Sequence, residues 1–424
     1  MLATPSIPSI SRKVVSYSTW RACLCSRSVS SSRCCKCKNS RAHSARYSEG
    51  TNVRKREFDA RLPKHGGNVH AFARAHGLQP DEVLDFSASI NPLGWPRGVA
   101  AAYRKALSQA VHYPEPYAET LTTALANYHA LDPTSLLVGN GSTQLIYLFA
   151  RVLASQNVLI ISPTFSEHES AFRLAGASVS RFYLRPPAFA LLPEQLQRKL
   201  AEGYDTVVLT NPNSPIGVLV PRATVETVVR QCRRMRIRLL IDETFIDWVE
   251  EESVKELATR HASLIVLRSM TKFFALPGLR IGYTIAHPRV IARLRQQLEP
   301  WSVNSIAQAV GVACLADSQF AQRSRAIMER ERRWFAQQLA TIAGFRVFPS
   351  QANFLLVQLE HRRLTAADLS HKLAEHHILI RDCANFPGLG KQYFRVAVRQ
   401  RKETRRLLAA LMDIVRGRSV VRER

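Results

Sequence analysis

The chain has 424 residues and a formal net charge of +26, from 59 Lys and Arg against 33 Asp and Glu. Hydrophobic residues make up 46%, enough to build a buried core, which excludes a disordered chain. No stretch approaches the roughly 18 uninterrupted apolar residues that cross a bilayer, which excludes a membrane-spanning helix.

The charge is uneven. Residues 1–57 carry 12 Lys and Arg and only two Glu. This head is rich in Ser and holds Cys23, Cys25, Cys34, Cys35 and Cys37. Its apolar residues follow neither the helical nor the strand period, so it reads as a disordered, basic, Ser- and Cys-rich extension. Three readings fit it: an organelle transit peptide, a nucleic-acid-binding arm, or an appendage with no function of its own. Composition favours the last. The head's cysteines lack two well-spaced pairs and have only His43 nearby, so no metal site is assigned. Cys232, Cys314 and Cys383 are scattered through the body. That spacing gives no disulfide framework and fits a cytoplasmic protein.

The body divides into an N-terminal arm with part of a small domain (58–111), a large domain (112–329) and a C-terminal small domain (330–424). From about Asp85 the pattern alternates between strand and helix. Leu136–Val138 predicts a strand that ends in Gly-Asn-Gly. A helix follows, with Leu145, Ile146, Phe149, Val152 and Leu153 on one face. Further strands are predicted at Val158–Ile161, Val207–Leu209, Leu239–Ile241, Leu264–Leu267 and Ile281–Ala286. This alternation predicts an α/β sheet covered on both faces. The last hundred residues predict a helix at Arg330–Thr341, strands at Phe345–Phe348, Phe354–Leu359 and Tyr393–Val398, and a closing helix through Thr404–Val415. That mixture is a smaller α+β unit.

The polar strings follow strand ends, where the functional loops of α/β sheets gather. The most informative runs from Ser269 through Met270-Thr271-Lys272 to Arg280-Ile281-Gly282-Tyr283. A lysine just past a strand, flanked by hydroxyls and followed by an arginine, suits a Schiff-base lysine beside a phosphate site. Its amine must lose a proton to attack a carbonyl, and a desolvated, cation-rich pocket lowers its pKa. Ser269 and Arg280 could hold phosphate oxygens. Asp242 ends an apolar strand. It is either a helix cap or a carboxylate that keeps a pyridine nitrogen protonated. Gly139-Asn140-Gly141-Ser142-Thr143 opens a helix, and free N–H groups there favour a phosphate. Phe165 could stack on an aromatic ring.

These strings, in this order over about residues 60–415, resemble the class I/II aminotransferase family, whose cofactor is pyridoxal phosphate (PLP). The resemblance implies fold type I: a large domain with a mixed, mostly parallel sheet, a smaller α+β domain, and a homodimer. It implies that Lys272 bonds the cofactor, Asp242 pairs with the ring nitrogen and Phe165 stacks on the ring. Gly141, Ser142, Thr143, Ser269 and Arg280 would surround the cofactor phosphate, and Tyr113 would reach the phosphate site of the partner subunit. Two positions depart from the family pattern. Ser214 stands for the usual Asn and Phe245 for the usual Tyr, both of which contact the ring hydroxyl. Asn213 is the expected substitute.

Two further strings, His65-Gly66-Gly67-Asn68 and Asp85-Phe86-Ser87-Ala88-Ser89-Ile90-Asn91-Pro92, resemble the threonine-phosphate decarboxylases of cobalamin biosynthesis. This resemblance implies loss of CO2 from L-threonine O-3-phosphate, a small phosphorylated amino acid. Arg395 would take the carboxylate, with bidentate geometry, and Arg381 and His65 the phosphate. Ser89 stands where that branch often has Asn. Histidinol-phosphate aminotransferase is the alternative activity. A PLP-sensing transcription regulator is a remote one, because the basic head lacks a helix-turn-helix pattern; neither nucleic acid nor membrane is an expected partner. A catalytically dead homologue is a third reading, from Ser214 and Phe245.

Overall fold

The computed structural model describes residues 65–361 and 364–417. The extension assigned to residues 1–57, with its five cysteines, lies outside them. Among the described residues no helix is long and apolar enough to cross a membrane.

Among the described residues thirteen strands form three sheets. In chain order they are β1 (Leu84–Asp85), β2 (Leu136–Asn140), β3 (Asn157–Ser162), β4 (Ser178–Tyr183), β5 (Thr206–Thr210), β6 (Arg238–Asp242) and β7 (Leu264–Ser269). Then come β8 (Ile281–Ala286), β9 (Phe345–Val347), β10 (Phe354–Leu359), β11 (Ile378–Leu379), β12 (Arg381–Asp382) and β13 (Tyr393–Ala397). The large sheet has seven strands in the order β2-β8-β7-β6-β5-β3-β4. β8 runs antiparallel to both neighbours, and β7, β6, β5, β3 and β4 are mutually parallel. This is the mixed, mostly parallel sheet expected from the sequence.

The central strands carry apolar runs because both faces are covered. Leu159, Ile161, Val207, Leu209, Leu239 and Ile241 point into one core. Their neighbours Val158, Ile160, Val208 and Leu240 point into the other. The period-2 alternation of a strand assigns each residue to its side. β4 was not expected. It is a parallel edge strand with partner β3 only, and five of its six residues are half-buried, so its sequence shows no apolar run.

The second sheet, β12-β13-β10-β9, is antiparallel throughout. Its register sets Arg381 directly opposite Arg395. β1 pairs with β11, and Phe86 N–H donates to Leu379 C=O at 2.8 Å. That pairing carries the segment after β1 along the same sheet end. The helix expected at Arg330–Thr341 starts ten residues earlier and spans Phe320–Ala340. Its arginine-rich first half dilutes the apolar period.

Candidate active site

The carboxyl ends of the parallel strands converge on a cavity of about 250 Å3. β6 ends at Asp242, which is 4% exposed. One carboxylate oxygen, Oδ2, lies 2.9 Å from His168 Nε2, and Oδ1 accepts from Thr244 N–H at 3.0 Å. His168 is fully buried and its Nδ1 has no partner. The pair holds one carboxylate in a fixed pose at the cavity wall. Phe165 precedes the helix Ser166–Leu174 and lines the same cavity.

Lys272 sits in the four-residue helix Met270–Phe273, directly after β7. Burial holds its amine down at about 8, and the Arg395 and Arg280 cations add to the effect. A lysine with that value is partly neutral near pH 7, as attack on a carbonyl carbon requires.

β2 leads into the helix Gly141–Leu153, whose first turn has no side-chain cap. Its free N–H groups point toward an anion site. Gly141 has a φ of 78°, and a Cβ there would stand 2.7 Å from Arg280 Nη2. Arg280 itself holds a φ of 57°. A Cβ on Gly282 would press into the Gly141–Ser142 backbone. The two glycines thus let Arg280 and β8 close against the helix start, and Ser142 and Thr143 line the cavity there. Helix N-terminus, hydroxyls and guanidinium together form a cradle for a phosphate.

The opposite wall comes from the small sheet. Arg395 is buried, and that burial lowers its pKa to about 10. Its Nη1 donates to Ser214 Oγ at 3.0 Å and its Nη2 to Ser87 C=O at 3.0 Å, while Nε has no partner. Arg381, also lowered by burial, donates to Asp382 C=O and to Asn385 Oδ1, and lies over the Phe386 ring at 4.8 Å. Among the described residues neither arginine has a carboxylate partner within 4.0 Å, although both line the cavity. His65 stands at the mouth, 2.9 Å from Glu167 Oε1, whose other oxygen accepts from Tyr147. Ser89 Oγ is buried without a partner.

Eleven of the expected residues line this one cavity: His65, Ser89, Ser142, Thr143, Phe165, Ser214, Asp242, Lys272, Arg280, Arg381 and Arg395. Three side chains are elsewhere. Asn213, the expected substitute for the missing ring-hydroxyl contact, is turned into its own loop: Nδ2 donates to Pro163 C=O at 3.0 Å and Oδ1 accepts from Ile216 N–H at 3.3 Å. Ser269 points under the lysine turn, where Oγ meets Thr271 Oγ1 at 2.7 Å and accepts from Thr271 N–H. Thr271, not Ser269, reaches the wall. Tyr113 is 85% exposed and packs on Trp301. Sequence reasoning also missed His168, Thr210 and Thr244. The signal for His168 was its place three residues after Phe165, one helical turn along.

A carboxylate for the ring nitrogen, an aromatic wall, a depressed lysine and an anion cradle surround one space, so the residues fit the group. When bound, PLP supplies an electron sink for a bond broken at the substrate Cα. The fold and this site define a PLP-dependent enzyme of fold type I.

Comparison with known proteins agrees. The family model for aminotransferase class I and II matches residues 81–411. The chain belongs to that family. It is 37% identical to the threonine-phosphate decarboxylase of Salmonella typhimurium over 83% of this chain and 97% of that one. It is 30% identical to the histidinol-phosphate aminotransferase of Methanopyrus kandleri over 86% of this chain and 97% of that one. Among solved structures, the L-threonine-O-3-phosphate decarboxylase of Porphyromonas gingivalis superposes with a TM-score of 0.71 at 26% identity, covering 78% of this chain and 99% of that one.

Proposed function

We propose that this enzyme decarboxylates L-threonine O-3-phosphate to (R)-1-amino-2-propanol O-2-phosphate, a step of cobalamin biosynthesis. One observation carries the reading. Arg381 and Arg395 stand opposite each other on adjacent strands, face the cavity and have no acid partner. Like charges directly opposite destabilise a sheet pair, and an unpaired buried charge costs several kcal/mol. A substrate with two anionic ends removes both penalties. Threonine phosphate has such ends, a carboxylate and a phosphate.

In this reading Arg395 takes the carboxylate in a bidentate grip. Arg381 and His65 take the phosphate. That two-point hold by Arg395 on one side and Arg381 and His65 on the other would fix the orientation of the Cα–carboxylate bond. With PLP bound, the cofactor would supply the sink for the electron pair left behind when CO2 departs. Lys272 then gives a proton to Cα as general acid. Asp242, oriented by His168, keeps the ring nitrogen charged.

A homodimer completes the proposal. Tyr113, Val111, Leu107, Tyr103 and Trp301 are exposed large hydrophobic residues, an arrangement that marks an interaction face. Tyr113 would reach the partner's cofactor phosphate. The described cysteines are all buried free thiols, which suits a reducing cytoplasm.

The second reading, histidinol-phosphate aminotransferase, rests on the 30% identical relative. One assay separates the two. Incubated with PLP and threonine phosphate alone, the protein should release CO2 and form the amino alcohol phosphate by mass spectrometry. Turnover that appears only with histidinol phosphate and 2-oxoglutarate refutes the decarboxylase.

A further inference from the structure

We infer that Asn91 is a positioning residue for Lys272. Lys272 lies in a helix of only four residues. So short a helix cannot hold its own orientation, and its last carbonyls have no partner within it. The segment after β1 supplies those partners. Asn91 N–H donates to Lys272 C=O at 3.0 Å. Asn91 Nδ2 donates to Phe273 C=O at 2.8 Å, and Trp95 Nε1 donates to Ala275 C=O at 3.0 Å. The chain from 91 to 95 is thereby laced along the turn that carries the lysine.

Asn91 is 3% exposed and its side chain is fully used. Its second Nδ2 hydrogen goes to Ser324 Oγ at 2.9 Å, on the helix Phe320–Ala340, and its Oδ1 accepts from Leu93 N–H at 3.0 Å. Water cannot replace these bonds at such depth. The Asn91 side chain holds the Phe273 carbonyl next to the lysine while its main-chain N–H holds the Lys272 carbonyl, and neither touches the amine, so the side chain acts through the turn that carries Lys272. The amine has to reach both the cofactor carbon and the substrate Cα, and a displacement of about 1 Å can cost about 100-fold in rate.

The inference rests on Lys272 as the cofactor lysine, and the test separates the two. Asn91→Ala and Ser324→Ala are compared in the PLP-loaded enzyme by melting temperature, the pH midpoint of the visible cofactor absorbance, and kcat and KM. Ser324→Ala cuts only the tie to the long helix. It should lower the melting temperature and leave the midpoint in place. Asn91→Ala should shift the midpoint by about half a pH unit or more. It should also lower kcat at least about tenfold with KM nearly unchanged. If Asn91→Ala does not fold, Asn91→Ser should give the same pattern at smaller amplitude. A lower melting temperature with parental midpoint and kcat means a merely structural role and overturns the inference. A parent protein without a visible band removes the cofactor from Lys272 and the inference with it.

Discussion

Gly282→Ala tests whether the helix start at Gly141 is the cofactor's phosphate cradle. Gly282 does not need its hydrogen for a left-handed φ; it needs it for space. A Cβ there would sit 2.6 Å from Gly141 C and 2.8 Å from Ser142 Cα, and closer still to Ser142 N. Ordinary contact begins at 3.4 Å, so β8 and the helix start must separate by about 0.8 Å or more. The obstacle is backbone on both sides and cannot swing away. Overpacking of this kind costs about 1–3 kcal/mol. The same displacement pulls the Ser142 and Thr143 donors away from Arg280. Loss of one charge-assisted hydrogen bond is worth about 1.5–3 kcal/mol, or about 10- to 100-fold in dissociation constant. Titration of cofactor-free protein with PLP, followed by absorbance, reads that number, and a melting curve reads the stability. Gly278→Ala is the control, because a Cβ there meets nothing within 4 Å. A Gly282→Ala protein that melts lower yet binds PLP with the parental constant would place the phosphate elsewhere and refute the reasoning.

Three further outcomes follow from the same geometry. Arg395→Met removes the second-largest cause of the depressed Lys272 pKa, so the amine should rise above about 8 toward 10.5. The sign is fixed: less free amine at any given pH, about tenfold less for each unit, and the pH at which cofactor-free protein captures PLP moves upward. An unmoved profile contradicts the assignment. Ser214→Ala deprives Arg395 Nη1 of its acceptor and should raise KM for threonine phosphate by about 3- to 10-fold, the value of one such bond; steady-state kinetics decide it. Deletion of residues 1–57 should leave kcat, KM and melting temperature unchanged, whereas a loss of turnover would show that the extension belongs to the site.

The parts of the fold legible in the sequence are those whose burial is symmetric. β3, β5, β6 and β7 are covered on both faces and appear as apolar runs over most of their length. β4 is half-buried at an edge, and β1, β11 and β12 are two residues long, too short for any period to register. The site follows the same logic. Lys272, Asp242 and Ser142 stand directly after readable strands, so chain order placed them. Asn213 and Ser269 are neighbours of wall residues in sequence, but a side chain's direction depends on loop bonds that no spacing reveals. His168 and Asn91 were missed for the complementary reason. Each is remote in sequence from the group it holds, 74 residues for His168 and Asp242 and 182 for Asn91 and Phe273.

The surplus of arginine is where structure adds most to sequence. Arg268 and Arg395 are both buried arginines on strands, and residue type and burial alone do not separate their tasks. Arg268 is fully enclosed among Glu243, Asp247 and Glu250, with bonds to all three. Those acids push its pKa well above the ordinary value against the opposing effect of burial. Arg395 is also buried but faces the cavity, has no carboxylate within ion-pair distance among the described residues, and is pushed down to about 10 instead. A buried cation with its counter-charges built in holds structure together. A buried cation without them is held in wait for a charge that arrives from outside. That contrast ties Arg268 to the scaffold and leaves Arg395, with its strand partner Arg381, for the ligand that the proposed function gives them. It also sets the demand a substrate has to meet: two negative groups, one for each guanidinium, on a molecule small enough to bring its amine to Lys272.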